Sequence, residues 1–188
     1  ARSHPNLRSI TRLKFINPIN LPRVDVLFLA LPHHAVMENI HEYREKCEYL
    51  IDLSSDFRLS NKNDYVKYYG HEHTHPTLLK EFVYGMPELH REKIKSSTLI
   101  AVPGCTATAA ILPMKPIVEA LGVKTIVVDS KVGSSAAGAS FSMSTHHPER
   151  SNVVRSFKPS MHRHIAEMNQ ELNKNGAISL NFSPHAVE

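Results

Sequence analysis

The sequence predicts an α/β protein: a partial Rossmann-like parallel sheet domain followed by an α+β catalytic domain. Three observations predict it. Short apolar segments at 24–31, 49–53, 82–84 and 98–102 read as buried strands alternating with helical sequence. Polar residues collect directly after those strand ends, where open parallel sheets bind ligands. Beyond residue 104 the strand candidates lengthen and the alternation stops, which divides the chain into units at 1–104 and 105–188.

The elements follow in order. Residues 1–23 are punctuated by Pro and Asn, with one short strand expected at 13–16. The run 24–31 ends in Pro32-His33-His34, so its carboxyl end opens into a loop. Residues 35–46 have helical spacing, and Cys47 is placed at the end of that helix. A second strand at 49–53 leads into the polar loop Ser54-Ser55-Asp56-Phe57-Arg58. The strand at 98–102 is stopped by Pro103-Gly104. From Cys105 small apolar residues recur at helical spacing through Val118 and Leu121, with a stop at Gly122. A long strand at 124–132, a small-residue loop from Gly133 to Ala139, a short strand at 153–157, a helix at 165–172 and a strand at 177–182 complete the pattern. No G-x-G-x-x-G fingerprint occurs, and the chain opens in loop-like sequence. The first βαβ unit is therefore expected to be missing, and the second unit to be incomplete at Glu188.

Composition narrows the function classes. A chain of 188 residues with 41% hydrophobic and 21% charged residues has enough apolar sequence for a sizeable core. No apolar run reaches the roughly 20 residues of a membrane span, so no membrane partner is expected. The net charge of +4 is mild and scattered, unlike the basic tracts of nucleic-acid binders; it suits an acidic substrate or an acidic protein partner. Two cysteines are too few for a disulfide framework, which fits a reduced, cytoplasmic setting.

Candidate chemistry centres on Cys105. A cysteine at the start of a helix faces unpaired N–H groups and the positive end of the dipole, which favour a thiolate. The same N–H groups can receive an oxyanion. The partner is sought in Pro159-Ser160-Met161-His162-Arg163-His164, where an imidazole next to a helix start can exchange a proton with a thiol. Arg150, Arg155 and Arg163 offer guanidinium forks for carboxylate or phosphate. His71, His73 and His75 alternate and invite a metal reading, but their sequence is loop-like and reads as surface.

Five motifs occur in an order that resembles the N-acetyl-gamma-glutamyl-phosphate reductase family: Leu29-Ala30-Leu31-Pro32-His33, the Asp52 to Arg58 loop, Tyr84-Gly85-Met86-Pro87-Glu88, Pro103-Gly104-Cys105-Thr106-Ala107-Thr108 and His162-Arg163-His164. The resemblance covers essentially the whole chain. It implies NADPH-dependent reduction of an acyl phosphate to an aldehyde, by a mechanism related to aspartate-semialdehyde dehydrogenase. Thr106-Ala107, the loop at 134–138 and His146-His147-Pro148-Glu149-Arg150 are closer to the branch whose substrate rides on an acidic amino-group carrier protein, in lysine or arginine biosynthesis. The N-acetylated substrate is the alternative.

The resemblance further implies Cys105 as nucleophile and His162 as acid–base, with His164 as second choice. It places Thr106, Arg150 and Arg163 at the substrate, and Leu31, Pro32, His33, Ser134 and Ser135 at the NADPH/NADP cofactor; no metal is expected. A homo-oligomer is implied as well. Met161 stands where the family has glycine, so a change in the aim of His162 is expected. Two readings of other classes remain: a metal-dependent hydrolase built on the histidine runs, and a truncated, non-catalytic remnant.

Overall fold

The structure is a computed structural model that describes residues 10–11, 13–138, 142–173 and 175–188. The first unit is built on four parallel strands: β1 (Val24–Leu29), β2 (Cys47–Asp52), β3 (Val83–Tyr84) and β4 (Leu99–Ala101), in the order β1-β2-β4-β3. Their register matters more than their number. Leu29 pairs with Asp52, Asp52 with Ala101, and Ala101 with Tyr84, so all four strands end in one row. The loops carrying His33, Ser55, Gly85 and Gly104 therefore leave from the same edge, as a parallel sheet requires of a binding edge. Gly85 is needed there: a Cβ would lie 2.7 Å from the Ile100 side chain.

Helices α1 (Ala35–Glu38) and α2 (Ile40–Glu45) replace the single helix expected at 35–46. The break is Asn39, at φ −122° and ψ 19°, whose side-chain amide donates back to the Ala35 carbonyl. Asn offers the backbone a local alternative to the helix. Cys47 is not helical: it begins β2, is buried, and its thiol donates to the Tyr43 carbonyl. No strand forms at 13–16, where Leu13, Phe15 and Ile16 are exposed. Two further helices, α3 (Lys62–Tyr69) and α4 (Pro87–Lys95), have mostly polar sequences that hid them.

In the second unit α5 runs from Cys105 to Leu121 and stops at Gly122 in the left-handed conformation (φ 58°), as the sequence indicated. Nine-residue strands β5 (Thr125–Gly133) and β7 (Ser179–Val187) pair in parallel without a slip, and the two-residue β6 (Arg155–Ser156) pairs antiparallel to β7. One turn of helix, α6 (His147–Arg150), precedes β6. Ser134–Ala137 form a 3₁₀ turn; Ala139 lies outside the described residues.

Helix α7 (His164–Leu172) joins the two halves. Seven of its nine residues are buried, with Ala166 packed into the first core (Val36, Ile40, Leu50, Phe57) and Ile165, Met168 and Leu172 into the second (Ala107, Ile111, Ile126, Phe182). A helix buried at so many positions, three of them polar, needs neighbours on both sides. Among the described residues no helix is long and apolar enough to cross a membrane.

Candidate active site

Cys105 is the first residue of α5 and its side chain is exposed, whereas Cys47 is buried. No side chain caps α5, so its first-turn N–H groups, which have no intrahelical acceptor, remain open to an anion. Cys105 and Thr106 line a cavity of about 400 Å³ together with His162, His164, Arg150 and Arg163. Six residues singled out in the sequence thus meet at one place, on the binding edge of the first sheet and under β5 and β7.

His162 is half-buried against the edges of Phe157, Phe182 and His164. Burial, then Arg163 and Lys158, push its pKa down to about 4, so the ring is neutral near pH 7. Its Nδ1 accepts the His164 backbone N–H at 3.2 Å, which leaves the ring proton on Nε2. His164 is buried, with its pKa pushed down to about 3 by burial and by His162, Arg58 and Arg163. Its Nδ1 hydrogen-bonds the Thr106 hydroxyl.

Cations gather on one wall. Arg150 Nε donates to the Ser144 carbonyl while its Nη1 is buried and unpartnered; Arg163 Nε is likewise unpartnered. Lys158, which the sequence reading did not single out, joins them from the left-handed region (φ 45°). Non-glycine residues held there signal a local constraint. The left-handed residues of this loop are Lys158 and Ser160 (φ 57°), and Met161 is not among them. The loop is instead pinned to β7, with Phe157 N–H on the Pro184 carbonyl and Ser160 N–H on that of Phe182.

A second cavity of about 310 Å³ shares Phe157, Lys158, His162 and Arg163 with the first and opens at the end of β1, where it is lined by His33, His34 and Tyr69. His33 does more than border it. Its Nδ1 bonds Ser55 Oγ and its Nε2 bonds Arg163 Nη1, so both ring nitrogens are engaged and the ring ties the two units together. Burial and Arg163 push its pKa down to about 4, consistent with an acceptor facing a guanidinium. Leu31 and Pro32 are exposed beside it. From the turn after β5, Gly133, Ala136 and Ala137 line the cysteine cavity, whereas Ser134 and Ser135 do not.

The loop after β2 is structural throughout. Asp52 accepts the Ser54 N–H and hydroxyl, and burial raises its pKa to about 6. Asp56 accepts the N–H groups of His34, Val36 and Met37 and so caps α1 from twenty residues away. Arg58 donates to the carbonyls of Val102 and Leu53 and lies 3.7 Å from Glu167. His73, read from sequence as a surface residue, is buried with its Nε2 on the Asp56 carbonyl and its Nδ1 accepting the His75 N–H. His71 bonds His34 instead, so the run does not converge; among the described residues no three metal-binding side chains meet.

Residues 1–97 match the semialdehyde dehydrogenase NAD binding domain model, and residues 105–188 the semialdehyde dehydrogenase dimerisation domain model. A protein of Deinococcus radiodurans named [LysW]-L-2-aminoadipate 6-phosphate reductase is 48% identical over 90% of this chain and 49% of its own length. An N-acetyl-gamma-glutamyl-phosphate reductase of Methanopyrus kandleri is 45% identical over 97% of this chain and 54% of its own. The chain thus spans about half the length of the curated relatives it matches. Aspartate semialdehyde dehydrogenase II from Vibrio cholerae shares the fold at TM-score 0.61 and 16% identity, over 87% of this chain and 52% of that one. With one family model matching more than half its length and a second matching most of the rest, the chain belongs to the semialdehyde dehydrogenase family.

Proposed function

We propose that this chain carries the reaction centre of an NADPH-dependent acyl-phosphate reductase, with the nucleotide unit within 1–104 and the catalytic unit within 105–188. One observation carries the reading: an exposed cysteine at a helix start shares a cavity with a half-buried neutral imidazole and a wall of cations.

The chemistry follows from that arrangement. Cys105, at the uncapped N-terminus of α5, is the thiolate nucleophile of this proposal. Its sulfur adds to the acyl carbonyl, the C–O bond to phosphate breaks, and phosphate leaves with the electron pair and takes up one proton. Arg150, Lys158 and Arg163 offset the charge of the leaving group. The first-turn N–H groups hold the carbonyl oxygen while it carries negative charge, and His162 donates to it from Nε2, as a neutral imidazole can. NADPH, when bound, supplies the hydride that turns the thioester into a hemithioacetal on Cys105. Collapse of that adduct returns the thiolate and releases the aldehyde.

The residues fit the reduced-nicotinamide end of such a cofactor. His33, just after the exposed Leu31 and Pro32, borders a cavity at the β1 end that shares His162 with the cysteine cavity, and Arg163, which lines both, has a buried, unpartnered Nε. Ser134 and Ser135 lie on the turn after β5, next to Gly133 and Ala136 of the cysteine cavity. His164, buried and bonded to Thr106, serves the site from behind.

For substrate we favour an acyl phosphate of aminoadipate or glutamate carried on an acidic amino-group carrier protein, in cytoplasmic lysine or arginine biosynthesis. Relatives named for that substrate support it, as does the basic rim of Arg150, Arg155 and Lys158. The N-acetylated substrate is the second reading, supported by the Methanopyrus protein. A homo-oligomer built through the second unit fits the matched model's description and the exposed face of β5 around Val127.

The test uses the full-length protein with NADPH and each acyl phosphate in turn. Oxidation of NADPH with release of aldehyde and phosphate is expected, and Cys105→Ala should abolish it while leaving the circular dichroism unchanged. Near-normal turnover in that variant refutes covalent catalysis. Faster turnover of the free N-acetylated phosphate than of the carrier-linked one decides for the second substrate.

A further inference from the structure

Two motifs of the sequence have no part in the chemistry so far, the Tyr84-Gly85 pair and Arg58 of the loop after β2. Both converge on one side chain. Glu167 is completely buried in α7. Its Oε2 accepts the Gly104 N–H at 2.8 Å and the Tyr84 hydroxyl at 2.8 Å. Its Oε1 has no hydrogen-bond partner; it faces Arg58 Nη1 at 3.7 Å and His164 Nε2 at 3.8 Å. The approach leaves no room at 104, where a Cβ would fall on the His164 ring and 2.7 Å from Glu167 Oε1. A buried carboxyl with a bare oxygen costs free energy unless a charge or donor faces it; burial pushes the Glu167 pKa up, while Arg58, the Gly104 N–H and the Tyr84 hydroxyl oppose that shift and favour the carboxylate.

The consequence concerns the imidazole. A neutral ring has one donor nitrogen and one acceptor, and a carboxylate can only accept. The nitrogen turned toward Glu167 is therefore the donor, which leaves Nδ1 to accept from the Thr106 hydroxyl. That hydroxyl, one residue beyond the nucleophile, then commits its hydrogen to the His164 ring.

We propose that Glu167 is a positioning residue: it holds the Gly104–Cys105 turn through the Gly104 N–H and, through its unpartnered oxygen, keeps the His164 proton on Nε2. With Gly104 N–H and Thr106 O–H both committed, the oxyanion is left to the N–H groups of the first α5 turn. The catalytic meaning of this clamp rests on the cysteine mechanism proposed above; its geometry does not.

Imidazole nitrogen NMR on the full-length protein tests it. Wild type should show His164 protonated on Nε2 and bare on Nδ1; the opposite tautomer overturns the proposal. In Glu167→Gln the amide oxygen must stay on the Gly104 N–H, so the NH₂ group faces His164 and the tautomer should reverse. Turnover should then fall about 100-fold with KM little changed, the scale of a small misplacement at a reacting centre. Glu167→Asp keeps the charge and should keep the wild-type tautomer, which preserves a reading if the Gln variant does not fold. A Glu167 that serves packing alone would lower the melting temperature of the Gln variant without reversing the tautomer, and that result refutes the assignment. Should neither protein reduce an acyl phosphate, the proposed activity fails while the NMR still decides the clamp.

Discussion

His162 shows how a single residue's surroundings set both stability and chemistry. An unfolded histidine titrates near 6.5, while this one is held near 4. Between those values the unfolded chain binds more protons than the native one, so falling pH withdraws stability through this group. His33 and His164 act in the same direction, and Asp52, raised to about 6, acts against them. His162→Asn isolates the one contribution: its loss of unfolding free energy from pH 6.5 to 4, read by urea titration, should be smaller than that of wild type. The same variant should lower turnover by roughly 10²–10⁴-fold if the ring serves as acid–base, and by less if it only donates a hydrogen bond. Gly104→Ala tests the other side of the cysteine. The added methyl meets His164 and Glu167, so the melting temperature and the Cys105 alkylation rate should both fall.

Much of this site was legible in residues with unusual chemistry at an element boundary: Cys105 after Pro103-Gly104, and two histidines before a helix. Lys158 was not, because a lysine among loop residues carries no sign that it will sit at φ 45° in a cavity wall. Glu167 left a faint trace, a carboxylate between Ala166 and Met168, three residues beyond His164.

At the scale of elements, α1 illustrates a structure whose cause lies elsewhere in the chain. Its N-cap residue, His34, sits at φ 74° and supplies no side-chain cap. Three backbone N–H groups go to Asp56 instead. Asp56→Ala should cost roughly 1–3 kcal/mol, since it leaves buried donors without an acceptor. Denaturant titration measures the cost, and a change under 0.5 kcal/mol, the scatter of ordinary surface substitutions, would mean that α1 finds another cap. The strands were readable because buried parallel strands are runs of apolar residues. Their ends were less so: the run 24–31 stops pairing at Leu29, since Leu53 N–H is the last to reach back, to the Leu29 carbonyl. The break at Asn39 was hidden because the apolar spacing continues through it.

For the molecule as a whole, α7 makes the two cores one cooperative structure. Ile111, fully buried in the second core, lies far in sequence from Cys47 in the first. Ile111→Ala should cost about 2–5 kcal/mol, and Cys47 should become reactive to thiol reagents at the same lowered urea concentration. Protection of Cys47 that outlasts the loss of the second core would show two independent units. The sequence indicated a division at 104/105 through the change of strand pattern; it held no sign that the helix at 164–172 would be shared, because periodicity reports an apolar face and not its neighbour.

The ladder between β5 and β7 has a further consequence, during synthesis. Each residue of β5 finds its partner roughly fifty positions later, and Val132, Gly133 and Ala186 roof the cavity over Cys105. Until the ribosome has delivered Ser179–Val187, the cavity beside the nascent thiol lacks one wall and the substrate site is incomplete, and pairing over so long a separation is slow.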